Sequence, residues 1–333
     1  MKMKQLSYAL ACTMLFLWQS VSTKAKAIEA CDGYCCDGLC FDERPMPKWW
    51  VTADALLLYR TQNNNTTIVV DEDNSLAPVI TGDDFVLGMA AGPRLATGLQ
   101  WESGSSAELV YFGMNQWTSQ VSATGSNNLS IPGDLGLATF DSFAADQIDV
   151  SYGSEIHNVE FNLWSPHAGL EWMAGFRHFS VNEDFKIASF DEDTFKSDYR
   201  ISTENLLFGG QIGARKSWSQ EWLTFTTEAK IGLFGNANDQ HSLVRDVDNN
   251  NVLRDVDASS SSFSSLSELR LFGDIALTKN LSLTAGYNLI WLTDLALAPY
   301  QLDFTYTTLS SKFVDDTHSV FYHGAIVGLC WVR

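Results

Sequence analysis

The chain contains 333 residues, of which 45% are hydrophobic and 12% aromatic, and it carries a formal net charge of −19. This excess of negative charge disfavours nucleic acid and anionic surfaces as partners. The sequence has no run of about 18 consecutive apolar residues, so we predict no transmembrane helix.

Residues 1–27 have the pattern of a secretory signal peptide. A lysine-containing start is followed by a short apolar stretch, and Ala25-Lys26-Ala27 supplies the small residues of a cleavage site. The pattern predicts an exported mature chain that begins near Ile28. Because the leader holds four lysines and no acid, the mature chain has a charge of −19 − 4 = −23. Export without a membrane helix leaves two classes, a soluble β-sandwich or jelly roll and an outer-membrane β-barrel.

Four of the six cysteines lie in residues 31–40, the tandem repeat CDGYC-CDGLC. Cysteines of exported chains usually form disulfides, so residues 28–48 are predicted to be a cysteine-rich periplasmic segment. Local bonds within the repeat are the leading interpretation, and cross-links to a cell-envelope partner or a four-thiolate metal site are the alternatives. Cys12 leaves with the leader, so Cys330 makes an odd fifth and is free, bonded in trans or bonded to the repeat. The disulfide candidates in the repeat are Cys31, Cys35, Cys36 and Cys40.

Alternation of apolar and polar residues predicts strands along the rest of the chain. In residues 281–291 every second residue is apolar, and Ser282, Thr284, Gly286 and Asn288 lie on the opposite face. Such segments run for about 11 to 17 residues, whereas a membrane crossing needs about 9 to 11 and soluble strands average about 5 to 6. The lengths favour a membrane barrel. The ten segments are 49–60, 85–100, 105–117, 151–165, 167–180, 200–216, 220–234, 262–278, 280–295 and 318–332.

Tight and long connections alternate between these segments. Four links have only a few residues, and the other five are long and polar. Outer-membrane barrels have short periplasmic turns and long external loops. Residues 49–333 are therefore predicted to form an all-β, closed, antiparallel up-and-down transmembrane barrel of about ten strands, with eight to twelve as the range. The long links are 61–84, 118–150, 181–199, 235–261 and 296–317.

Aromatic residues cluster at the ends of the predicted strands. A barrel in lipid has an aromatic girdle at each interface, and we expect two girdles here. The short-turn girdle is predicted to contain Trp49, Trp50, Trp101, Trp164, Trp218, Trp222 and Trp331, and the other Tyr59, Trp117, Phe179, Phe234 and Trp291.

The faces opposite the apolar ones carry charges of both signs and are predicted to line the lumen. In a narrow ten-stranded barrel these groups are expected to pair with one another, which gives the protein a structural role. A narrow pore for ions or small solutes is the sharper alternative. The predicted charged network is Asp54, Arg94, Glu108, Glu160, Glu171, Arg177, Arg215, Glu228, Lys230, Glu268, Arg270 and Asp274.

No nucleophile elbow, zinc-protease motif or phosphate loop is present, so we predict no enzyme, no catalytic residue, no cofactor and no metal. A distant alternative is a hydrolase at the external rim, where carboxylates and a histidine are expected to meet. A surface-adhesion or divalent-ion-binding protein is the other alternative, because the loop segments 71–74, 191–193, 245–248 and 254–257 are acidic. The rim residues are Asp83, Asp84, Asp315, Asp316 and His318.

Several stretches resemble the seventh beta-barrel protein family of planctomycetes, which is sometimes labelled as related to the Legionella major outer-membrane protein. Among them are WWVTADALLLYR (49–60), GPRLATGLQW (92–101) and VFYHGAIVGL (320–329). The resemblance implies an outer-membrane barrel, with membrane lipid and the barrel assembly machinery as partners. It implies no defined activity and transfers no catalytic residue.

Overall fold

A computed structural model describes residues 35–36, 39–40, 49–61, 64–138, 144–246 and 251–333. The predicted leader and Cys31 lie outside these residues, as do the side chains of the other three cysteines of the repeat. The strands are β1 (Cys35–Cys36), β2 (Leu39–Cys40), β3 (Trp49–Thr61), β4 (Thr67–Asp71), β5 (Ala77–Thr81), β6 (Met89–Gln100), β7 (Ser106–Ser130), β8 (Ala145–His167), β9 (Leu170–Asp191), β10 (Thr194–Gln220), β11 (Leu223–Asp246), β12 (Asn251–Ala276), β13 (Leu281–Leu295) and β14 (His318–Val332). The short helices are α1 (Gly133–Ala138) and two 3₁₀ turns, Gly82–Asp84 and Ala298–Tyr300.

Ten of these strands form a closed antiparallel ring in the order β3, β6, β7, β8, β9, β10, β11, β12, β13, β14 and back to β3. The prediction of a closed barrel of about ten antiparallel strands is confirmed. The hairpin of β4 and β5 is not part of the ten-stranded ring. It pairs through β4 with the loop-end part of β7. Within the described part of the chain, no helix is long and apolar enough to cross a membrane.

One end of the barrel, called the turn end below, carries the four tight connections. Between β8 and β9, Ala168 and Gly169 have φ values of 53° and 75°, the two positive values of a type I′ turn that suits a hairpin. The opposite end, called the loop end, carries the long links. Three of those links, the connections β7–β8, β9–β10 and β11–β12, consist mainly of residues that extend the flanking strands. Between β9 and β10, for example, only Glu192 and Asp193 lie outside the two strands.

The ring is uneven in height. β7 to β12 have 22 to 27 residues each and form a tall wall, whereas β13, β14, β3 and β6 have 12 to 15 and form a short wall. At about 3.3 Å per residue, β10 is about 90 Å long, far more than the roughly 9 to 11 residues that cross a bilayer. The tall wall therefore projects beyond the membrane at the loop end.

The apolar face of a strand changes sides along the tall wall. Near the turn end of β9, Trp172 and Phe176 point outward and are exposed, while Arg177 points inward and is buried. Farther along the same strand, Phe185 is buried and Asp184 is exposed. The outer face of the tall wall is therefore apolar near the turn end, where it suits lipid. Near the loop end the outer face is polar and suits water, as in a soluble β protein.

Candidate functional site: the barrel lumen

Strand alternation turns the predicted charged residues toward the lumen. Eleven of the twelve have less than a tenth of their surface exposed, and Glu171, at the turn end, is partly exposed. The set holds seven carboxylates and five cations. We call these twelve residues the charged layer.

Glu160 of β8 is the best-connected carboxylate of the charged layer. Its Oε2 lies 3.0 Å from the ammonium of Lys230 on β11, and its Oε1 lies 3.5 Å from the Arg177 guanidinium on β9. Asn162 and Gln211 also donate hydrogen bonds to Oε2, at 3.1 and 3.0 Å. The carboxylate is therefore held by two cations and by amide donors, which is what a buried charge requires.

A second ion pair of the layer crosses the lumen in the same way, because Arg177 of β9 donates to Glu268 of β12 at 2.7 Å. β8 and β11, like β9 and β12, are three strands apart in the ring, so the Glu160–Lys230 and Arg177–Glu268 pairs span the interior between strands that are not neighbours. Glu228 is paired locally instead, 3.1 Å from Lys230 on its own strand and 3.8 Å from Arg270 on the neighbouring β12.

The turn-end part of the layer is paired between neighbouring strands. Arg94 donates to Asp54 at 2.6 Å, and Arg215 donates to Glu171 at 2.7 Å. The Arg215 guanidinium also lies 4.1 Å from the ring centre of Trp164, whose indole N–H donates to Glu108 at 2.7 Å. The remaining member, Asp274, accepts from the Thr284 hydroxyl at 2.5 Å.

A second region, called the upper core, fills the lumen between the charged layer and the loop end. It consists of buried apolar side chains that sequence alternation did not place in the lumen. Phe179 packs edge-on against Phe112 with 6.0 Å between ring centres, and Trp117 packs against Tyr322 at 5.3 Å. The principal members from the ring strands are Leu56, Leu58, Phe112, Met114, Trp117, Ile156, Phe179, Val181, Phe185, Leu207, Phe234, Leu266, Ile290, Leu292, Val320, Tyr322 and Ile326.

The upper core corrects part of the expected aromatic girdles. Trp117, Phe179 and Phe234 are buried inside the barrel, as are Trp50 and Trp164 at the turn end. Phe179 and Phe234 occupy the same face of their strands as Arg177 and Lys230, and this parity decides that they point inward. The exposed aromatic side chains toward the loop end are Tyr59, Tyr111, Phe208, Phe263, Tyr287 and Trp291.

An ion pair that the sequence reading missed crosses the upper core. Arg60 of β3 is paired with Glu183 of β9 and donates to the Tyr152 hydroxyl at 2.7 Å. All three residues are buried. The alternation of the strands could have identified both charged residues, because Arg60 lies on the same face of its strand as Asp54, and Glu183 on the same face as Arg177. Glu183 was missed because residues 181–199 were predicted to be a loop.

Residues 296–317, which connect β13 to β14, fold across the loop-end mouth and are called the strap. Asn205 of β10 exchanges two hydrogen bonds of 2.8 Å with the Ala296 backbone. Glu183 accepts the Ala298 N–H at 2.8 Å. Because β9 lies opposite β14 in the ring, the strap spans from the short wall to the tall wall.

The outer half of the strap is held by Arg254 of β12. The guanidinium donates to the backbone carbonyls of Asp303, at 2.8 Å, and of Thr305. Partial burial alone would raise the pKa of Asp303, but hydrogen bonds from Thr305 and the Ser311 N–H, together with Arg254, hold that pKa below its ordinary value. The carboxylate therefore stays ionised in the closed strap.

The predicted rim residues make specific polar contacts at the loop end. His318 and Asp315 lie 3.1 Å apart, and the His318 ring stacks on Tyr300 with 3.5 Å between centres. Asp84 accepts the Thr81 N–H at 2.7 Å, and Asp83 and Asp316 likewise bind their own surroundings. Among the residues that the structure describes, no group of three or more His, Cys, Asp or Glu is arranged to hold a metal ion.

The family model described as "Putative beta barrel porin-7" matches residues 50–317. The chain belongs to this family. The predicted seventh barrel family is thereby confirmed, whereas the planctomycete origin and the Legionella label stay predictions. None of the curated proteins searched matches the chain.

Solved structures with a similar fold are outer-membrane barrels. The outer membrane protease OmpT from Escherichia coli is 8% identical, with 86% of this chain and 97% of that chain covered and a TM-score of 0.43. The Ralstonia pickettii toluene transporter TbuX is 9% identical, covering 86% and 78%, with a TM-score of 0.36. A major outer membrane protein from Thermus thermophilus is 11% identical, covering 86% and 99%, with a TM-score of 0.32. At these values the likenesses carry no argument about activity.

Proposed function

We propose that this porin-family barrel is a structural component of the outer membrane whose lumen is sealed at rest. The observation that carries the proposal is the set of ion pairs that bridge the lumen, above all Glu160 with Lys230 and Arg177 with Glu268. Each pair joins strands that are not neighbours, so its side chains occupy the space that a permeating ion would need. The upper core and the strap add two further layers above them.

The same geometry supports a non-enzymatic role. Asp84 accepts a hydrogen bond from its own loop, Asp316 accepts one from Ser260 of β12, and the lumen charges are paired with one another. The leader and the periplasmic position of the cysteine segment remain part of this proposal, as do membrane lipid and the assembly machinery as partners.

Single-channel recording of the refolded mature barrel in a planar bilayer tests the proposal. We expect no discrete current steps from a barrel that is shown to be folded by its heat-modifiable migration on a denaturing gel. Regular steps from the wild-type barrel at low voltage would contradict a sealed lumen.

The second candidate is a narrow gated pore, and the polar attachment of the strap favours it. Asn205 and Arg254 hold the strap through hydrogen bonds, which can exchange with water when the strap lifts. The variant Asn205→Ala/Arg254→Ala should then conduct, with currents that change further on Lys230→Gln. Phe313→Ala, at an exposed strap position, is the matched control. Silence of the double variant would rule out the strap as a gate.

A further inference from the structure

The turn-end mouth contains a covalent bond that the charged layer does not explain. Cys330, near the end of β14, is disulfide-bonded and fully buried. It packs with Trp50, Ala96, Val110 and Val332 in a small apolar cluster on the inner wall. Its partner is one of the other five cysteines, and four of these belong to the repeat at residues 31–40.

The two short strands within the repeat, β1 and β2, lie close to this part of the barrel. β1 and β2 pair as a short hairpin, with Cys35 opposite Cys40. β1 comes within 8 Å of β14, and β2 comes within 8 Å of β11. Since β11 and β14 are separated by two strands of the ring, a hairpin that approaches both lies across the mouth.

The direction of Cys330 identifies the side from which the hairpin reaches the wall. Cys330 shares the inward face of β14 with Tyr322, Ile326 and Val332, all of which are buried, whereas Leu329 and Trp331 point outward and are exposed. A disulfide to an inward cysteine requires the partner backbone to lie inside the ring, because the two Cα atoms of a disulfide are about 4.4 to 6.8 Å apart.

We propose that the Cys330 disulfide joins β14 to Cys35 or Cys36, so that the β1–β2 hairpin forms a covalently held plug of the turn-end mouth and a site of thiol–disulfide exchange. The strand β1 carries the partner because it is the strand of the hairpin that approaches β14. The bond adds a second covalent attachment to the one through the chain itself, which raises the effective concentration of the hairpin at the mouth.

Release of the plug needs a dithiol as co-reactant. One thiolate of the dithiol attacks a sulfur of the protein disulfide, and the second thiol then displaces the protein from the mixed disulfide. Two protein thiols and one oxidised dithiol result, so two electrons and two protons pass from the dithiol to the protein. Reduction leaves the plug attached to the barrel only through its own chain.

Tryptic peptide mapping under non-reducing conditions tests the bond in the full mature chain. Cleavage at Lys312 and Lys48 separates the Cys330 peptide, residues 313–333, from the peptide that holds the repeat. We expect these two peptides to be joined, to separate in Cys35→Ser/Cys36→Ser, and to stay joined in the control Cys40→Ser. A Cys330 peptide joined to a Cys12 peptide, to another chain or to Cys40 would overturn the proposal.

The rate of limited trypsin cleavage after Lys48 in the folded barrel tests the plug. We expect a dithiol to raise this rate by about tenfold or more, in line with the loss of an intramolecular tether, and Cys330→Ser to reach that rate without the dithiol. Heat-modifiable migration shows that each variant is folded. Equal rates in folded wild type and Cys330→Ser would mean that the bond does not hold the segment. Neither readout measures conductance, so the outcome for the disulfide and the plug is independent of whether the lumen is sealed.

Discussion

The charged layer and the upper core occupy the same lumen, on the inward faces of the same strands, yet they fill it with opposite chemistry. In the charged layer Glu160 pairs with Lys230 and Arg177 pairs with Glu268, each across strands that are three apart. In the upper core Phe179, two residues along β9 from Arg177, packs against Phe112. The boundary follows the outward faces, which pass from Trp172 and Phe176 to the polar residues around Asp184.

The difference shows how the surroundings set the interior. Where lipid contacts the outer face, the apolar residues of an alternating strand lie outside, and polar residues remain for the lumen. Where the tall wall rises into water, the hydrophobic effect places the apolar residues inside. A strand that crosses both zones therefore exchanges the two faces while its pleat continues unbroken.

The largest effect is expected from breaking the charged layer at its best-connected residue. Glu160→Ala leaves Lys230 buried with Glu228 alone and removes a partner of Arg177, and loss of one partner of a buried pair costs about 3–5 kcal/mol. Denaturant unfolding of the barrel in detergent measures the loss. Glu204→Ala, an exposed carboxylate on the outer face of the tall wall, should change the free energy of unfolding by less than about 0.5 kcal/mol.

Replacing both partners should behave differently from replacing one. Glu160→Met/Lys230→Met removes both charges, and apolar replacements of a buried pair are often neutral or stabilising by about 1–4 kcal/mol. The same unfolding experiment compares this double variant with the two single ones. A double variant as unstable as the sum of the single variants would show that the layer resists apolar substitution and differs fundamentally from the upper core.

The upper core should respond to lost volume rather than to lost pairing. Phe179 is fully buried, so Phe179→Ala should destabilise the barrel by about 3–5 kcal/mol, as large-to-small changes in packed cores do. Phe313→Ala, at a strap residue that is 78% exposed, is the control and should be nearly silent in the same assay. If the Phe179 change cost less than about 1 kcal/mol, the upper core would be loosely packed.

A smaller effect is expected at the attachment of the strap. Asn205→Ala leaves the Ala296 N–H and carbonyl without their partner, at a cost of about 1–3 kcal/mol for unsatisfied buried groups. A cysteine introduced at Ala298 should then react faster with a maleimide from the loop end than it does when Asn205 is present. An unchanged labelling rate would mean that Glu183 and Arg254 hold the strap without Asn205.

The smallest effect is a pH dependence of the strap. Because the pKa of Asp303 lies below its ordinary value in the folded chain, its contribution is complete above about pH 4, the unfolded value. It is lost as the pH falls through the lower folded value. The labelling rate at the Ala298 cysteine, taken relative to that of an exposed cysteine at Phe313 at the same pH because only the thiolate reacts, should therefore rise only in acid. Asp303→Asn should remove this acid dependence and raise the relative rate already at neutral pH.

The alternation of apolar and polar residues was sufficient to predict the structure of the parts of the molecule that lie in lipid. The ten strands, the alternation of tight and long links and the parity of Glu160, Arg177 and Glu228 all follow from the period of two. The structure places these charges in the interior as that parity implies. Chain order alone could not give the partners of Glu160, because Lys230 lies 70 residues away and only closure of the ring brings the two together.

The sequence by itself determined the class of fold and the faces of the strands, because pleat and composition are local properties. The tertiary structure decided what fills the lumen above the charged layer. Residues 181–199 are polar enough to read as loop, yet pairing with neighbouring strands extends them as β-sheet, and the strap closes over Glu183 and Asn205. Those outcomes depend on long-range hydrogen bonding and on the height of the water boundary, and neither quantity is encoded within a single segment.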